Sequence, residues 1–170
     1  MKFQATSTFC NALKKLTKGK RSIHVTLPCI ICDALKGLDI EKIRENRDMV
    51  LTDKGYNIVK YRLKSSTGGK SDGYRLIYFV SLKEETVVFL YVYPKKGESG
   101  RSTISQKDIK LFLKELIVEK KKNLLTTYDI NNRLEVIPNL EDIIEDNIDS
   151  NDNNVVIVDS IPILQELPKQ

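Results

Sequence analysis

The spacing of apolar residues along this chain changes period twice. Near the start, Phe9, Leu13 and Leu16 recur three and four positions apart, with Lys14, Lys15 and Lys18 between and beyond them. That is the spacing of a helix with one buried face. Ser7-Thr8 offers its N-cap, the helix is predicted over residues 9–18, and Gly19 ends it. Pro28 suits the first turn of a second helix that stops at Gly37. Asp39 can cap a short third segment from Ile40 to about Arg47, with Ile40 and Ile43 inward. From Met49 the period drops to two. Met49–Thr52 is a brief strand candidate, 57–64 a firmer one, and 74–81 and 86–93 form a hairpin across Leu82–Glu85. Ser65–Gly73 is a glycine- and serine-rich loop. The helical period returns after Ser102-Thr103 or Ser105, with Ile109, Phe112, Leu113 and Leu116 as the stripe of a helix reaching about Lys122. The order predicts an α+β domain, N-terminal helices on a small antiparallel sheet with a C-terminal helix.

Charge divides the chain near that last helix. Residues 1–122 hold 26 Lys and Arg against 13 Asp and Glu, whereas residues 123–170 hold 2 against 10. The net +5 of the 170-residue chain therefore combines a basic body with an acidic extension. The predicted division is a domain at 1–122 and an extension at 123–170. Within the extension, Pro138–Ile144 could form a short helix, and 147–154 is polar. The run Val155-Val156-Ile157-Val158 needs a surface to cover it. Docking of residues 135–165 on the basic body, as an added strand at a sheet edge, is one expectation. A mobile tail or a docking site for another protein is the other. No stretch approaches the roughly 18–20 apolar residues of a membrane span, and Met1-Lys2-Phe3-Gln4 has no apolar signal core. The cytoplasm is the expected location, with no membrane partner.

Three familiar chemistries fit poorly. Cys29-Ile30-Ile31-Cys32, with Cys10 and His24, has the donor types of a zinc site, but two isoleucines fill the CxxC and the helix behind Pro28 accounts for them as small buried residues. Gly68-Gly69-Lys70-Ser71 resembles the end of a P-loop, yet position 64 is Lys where that motif needs Gly, and a strand follows instead of a helix. His24 has the right side chain for a general base but lies far in sequence from the basic strands.

Those strands carry the strongest constellation. Period two puts Lys60, Arg62 and Lys64 on one face of a strand and Val59, Tyr61 and Leu63 on the other. Arg75 lies on the next strand, and Lys95 and Lys96 follow the third. Like charges on adjacent strands repel, and a polyanion over them reverses the sign. Tyr93, beside Pro94-Lys95-Lys96, is placed to stack on a base.

These residues resemble the RelE/HigB-type toxins of bacterial toxin–antitoxin systems, within the RelE/ParE superfamily. The resemblance spans about residues 3–117. It rests on Ser7-Thr8-Phe9, Ala12-Leu13-Lys14-Lys15-Leu16, Val59-Lys60-Tyr61-Arg62-Leu63, Gly69–Tyr78 and Val88–Lys96. It implies a ribosome-dependent mRNA endonuclease that uses no metal or other cofactor. In that chemistry a ribose 2′-hydroxyl attacks the adjacent phosphate. It also implies a cognate antitoxin. By motif matching, Lys60, Arg62, Arg75 and Lys96 fall on the family's catalytic positions: Lys60 as base, the two arginines as phosphate clamp, Lys96 as acid for the leaving oxygen. Lys64, Lys70, Tyr93, Lys95 and Arg101 would bind RNA around them. One departure stands out. Several members carry a tyrosine or histidine near the start of the last helix, whereas Gly97–Thr103 has neither. The alternative is therefore a non-catalytic binding protein on the same fold, a gyrase inhibitor or a degenerate toxin.

Overall fold

The computed structural model describes residues 1–18, 24–45, 49–53, 56–65, 73–96, 100–101, 103–131 and 135–137, with backbone alone for 49–53, 56 and 135–137. Strand β1 (Lys2–Ala5) leads into helix α1 (Ser7–Thr17), followed by α2 (Leu27–Leu35) and α3 (Ile40–Arg44). Strands β2 (Met49–Asp53), β3 (Tyr56–Leu63), β4 (Tyr74–Ser81) and β5 (Thr86–Pro94) come next. Helix α4 (Gln106–Lys121), β6 (Thr126–Asp129) and β7 (Glu135–Ile137) complete the fold. It is the α+β class expected.

The predicted helices form where their signals lie, with small shifts at the ends. Thr6, one residue earlier than expected, caps α1 by accepting from the Phe9 N–H at 3.4 Å. The Asp39 carboxylate accepts from the Lys42 N–H at 2.8 Å and opens α3. Ser105, not Ser102-Thr103, starts α4 through a reciprocal capping box with Asp108.

The seven strands of the described residues join one sheet in the order β2-β3-β4-β5-β1-β6-β7. The meander β2 to β5 is antiparallel, as predicted. The sheet is larger than expected and mixed, because β1 lies parallel to β5 and antiparallel to β6. The compact unit holding it runs from Met1 to Ile137. The composition change at Lys122 and the end of the sheet are thus different points in the chain.

Two cores sandwich the sheet. On one face Phe9 and Leu13 of α1, Leu27, Ile31 and Leu35 of α2, and Ile43 of α3 pack over Val59, Leu63, Leu76, Tyr78 and Phe89. On the other, Ile109, Phe112 and Leu116 of α4 cover Ile58, Ile77, Phe79, Val88 and Leu90. Burial of this kind contributes about 25 cal/mol per Å2 of apolar surface removed from water, an upper figure for an unfolded chain that is itself partly collapsed.

Candidate functional site

Lys60 and Arg62, expected to share a strand face, lie on the α4 side of the sheet. Ile58 starts that face on β3 and is buried under α4, and Lys60 and Arg62 continue it. Alternation makes this face apolar at one end and cationic at the other.

Strand register sets the composition of two rungs. Lys60 is opposite Ile77, which is opposite Tyr91; Arg62 is opposite Arg75, which is opposite Tyr93. Directly opposite side chains on one face lie about 5 Å apart at Cβ. The tyrosines reach this face because of an irregularity. Ile77 pairs with Tyr91 but Tyr78 pairs with Phe89, so Leu90 is an extra residue in β5. Phe89 accordingly belongs to the core under α1, while Tyr93 belongs to the core under α4. Without the bulge, strict alternation would send Tyr91 and Tyr93 to the Phe89 side. Sequence reading missed this, because residues 87–93 are apolar or aromatic throughout and nothing local marks the break by which 87, 89 and then 92 face one core.

Burial sorts the group. Arg62, Lys64, Lys95, Lys96 and Arg101 are exposed, and Lys60 is half-buried. Arg75 is only 6% exposed and donates from its guanidinium to the Tyr74 carbonyl at 3.0 Å. That bond holds the guanidinium against its own strand. Tyr93 does not stand open for a base as expected. It is 2% exposed, its ring 5.9 Å from that of Tyr91. Burial raises its phenol above the ordinary value, and the nearby guanidiniums of Arg75 and Arg101 partly offset that rise. Tyr93 is therefore a protonated hydroxyl with cations nearby. The more accessible aromatic is half-buried Tyr91, stacked on Phe112 at 5.1 Å with the Arg101 guanidinium 5.6 Å from its centroid. Lys70 lies outside the described residues, as does the segment 138–165 expected to dock; residues 135–137 form β7 against β6.

The other candidate donors do not converge. The Cys10 thiol meets the Tyr128 hydroxyl at 3.5 Å, His24 Nδ1 meets the Tyr74 hydroxyl at 2.8 Å, and Cys29 and Cys32 lie on α2. Among the described residues no cluster of three or more His, Cys, Asp or Glu could hold a metal ion, and no helix is long and apolar enough to cross a membrane.

Comparison with known proteins decides the family. Residues 35–136 match the family model described as the RelE toxin of the RelE / RelB toxin-antitoxin system. The chain belongs to the RelE toxin family. It is thus a toxin of a toxin–antitoxin system, and the family implies a cognate antitoxin partner. No curated protein and no solved structure matches the chain. The matched segment of this RelE-type chain covers β2 to β5 and α4, and so all the cations of the two rungs.

Proposed function

We propose that this toxin cleaves mRNA on the ribosome by attack of a ribose 2′-hydroxyl on the adjacent phosphate. The observation that carries the reading is the Arg62–Arg75–Tyr93 rung, two guanidiniums and a protonated phenol on the face that Lys60 also shares. In this mechanism the Lys60 amine takes the 2′-hydroxyl proton and the 2′-oxygen bonds to phosphorus. The bond to the 5′-oxygen breaks, and Lys96 returns a proton to that oxygen. A 2′,3′-cyclic phosphate and a 5′-hydroxyl remain. Arg62 and Arg75 bear the charge that develops on the non-bridging oxygens, a task suited to planar, fixed donors. Buried Tyr93 closes the rung on the β5 side. Lys64, Lys95 and Arg101 extend the positive field to flanking phosphates.

Pre-placed donors are of most use where charge appears only in the transition state. The test is a message with a single 2′-deoxynucleotide at a mapped cleavage position. The proposal expects cleavage to vanish there and to persist at neighbouring positions. Cleavage at the deoxy position would overturn it, because no 2′-oxygen remains to attack.

A further inference from the structure

Beside the two rungs, at the edge of β5, lies a cleft of about 300 Å3 that brings in Ala12, Lys15 and Leu16 of α1, which the cation pattern leaves out. It exists because β1 pairs with β5 only from Thr86 to Phe89. Beyond that point the edge of β5 faces α1 on one side and the Gly100–Arg101 segment on the other. The Arg101 N–H donates to the Pro94 carbonyl at 3.0 Å, which fixes that second wall.

Resting on the nuclease reading, we propose that this cleft receives an unpaired nucleobase of the bound RNA, next to the phosphate held by Arg62 and Arg75. The walls are Ala12 and Leu16 of α1 and the ring of Tyr91, with Lys15 and Arg101 as the charged lining. Among the described residues that line it, none is acidic. A cleft with two cations and two tyrosines in a largely polar lining suits an aromatic heterocycle that carries a phosphate. Its volume lies at the lower end of the roughly 300–1,000 Å3 of small-ligand sites. Unstacked bases are commonly held on aromatic rings or arginine planes, and the Arg101–Tyr91 pair offers both at 5.6 Å. The base rests against that pair, while Lys15, exposed on α1, takes the flanking phosphate. In-line attack needs the nucleotides around the cut to leave the regular stack. A slot that Tyr93 itself helps to line would hold one of them out.

The experiment is a titration of the full-length protein with each of the four nucleoside 5′-monophosphates, and with ribose 5-phosphate as a probe lacking the base, followed by NMR. The expected result is perturbation of Ala12, Leu16, Tyr91 and Arg101 by at least one nucleotide, with ribose 5-phosphate about tenfold weaker. Ala12→Leu, which fills the slot, and Lys15→Glu, which reverses its charge, should each weaken that nucleotide by about tenfold or more. Lys15→Glu changes an exposed side chain, so it remains informative if Ala12→Leu does not fold. Perturbation confined to Arg62 and Lys64, or equal binding of ribose 5-phosphate, would overturn the proposal. Failure of the nuclease reading looks different: the nucleotide binds in the cleft and translated mRNA stays whole.

Discussion

Gly73 shows how one residue positions the site. A Cβ there would lie 1.9 Å from the Leu63 carbonyl oxygen and 3.0 Å from the Ser65 nitrogen, both backbone atoms with nowhere to yield. The Gly73 carbonyl also accepts from the Lys95 N–H at 3.0 Å, so the ends of β3 and β5 meet at this glycine. Arg75 follows two residues later. Gly73→Ala is expected to destabilise the fold by about 2 kcal/mol through overpacking, measured by urea denaturation, and to abolish toxicity by shifting Arg75. The cations themselves were legible because a period of two needs only the local sequence. The steric demand on Gly73, the Leu90 bulge and the burial of Tyr93 were not, because each depends on which residue of the neighbouring strand lies opposite.

At the scale of elements, α4 is both a cover and a cap. The Ser7 N–H donates to both carboxylate oxygens of Glu119, at 3.0 and 3.2 Å, and the Thr8 N–H donates to Glu115 at 2.8 Å. Carboxylates four residues apart on one helix thus meet the unsatisfied first-turn amides of another. Glu119 is 7% exposed. Glu119→Ala is expected to destabilise by about 2 kcal/mol, the range of a hydrogen bond to a charged group, and Glu119→Gln by less, read by chemical denaturation. In the sequence Glu115 and Glu119 were only two charges of α4, and nothing local tied them to residues more than a hundred positions away. A second tie joins β4 to α3, where the Tyr78 hydroxyl donates to the Ile43 carbonyl at 2.9 Å. Burial raises the Tyr78 phenol above its ordinary 10.0. Its stabilisation is full below that value and is lost as pH rises past 10 towards the raised folded value. Tyr78→Phe should therefore be about 1 kcal/mol less stable near neutral pH and lose less than the wild type on alkaline titration. Tyr128, raised by burial too, keeps that alkaline loss from vanishing.

For the whole molecule, the sheet decides where the body ends. β1 sits between β5 and β6, so the first strand of the chain is paired on one side by residues 126–128. Leu125, Tyr128 and Ile130 also enter the two cores. A chain ending after Ile137 should keep a cooperative thermal transition, followed by circular dichroism. One ending at Lys122 should lose several degrees or fail to fold. The sequence did not disclose this extension because β1, β6 and β7 are four, four and three residues long. Runs so short show no period, and the β1–β5 pair joins residues more than eighty positions apart. The charge change after Lys122 marks composition, and the compact unit runs on to Ile137.

Family membership leaves one question central, whether the two rungs cut RNA or only hold it. Primer extension on a translated message, with full-length wild type and Arg75→Ala expressed side by side, answers it most directly. Wild type is expected to leave new 5′ ends within codons, only while the message is being translated, and Arg75→Ala none. A growth defect that depends on Arg75 while the message stays uncut would contradict it, leaving a toxin that works by binding alone.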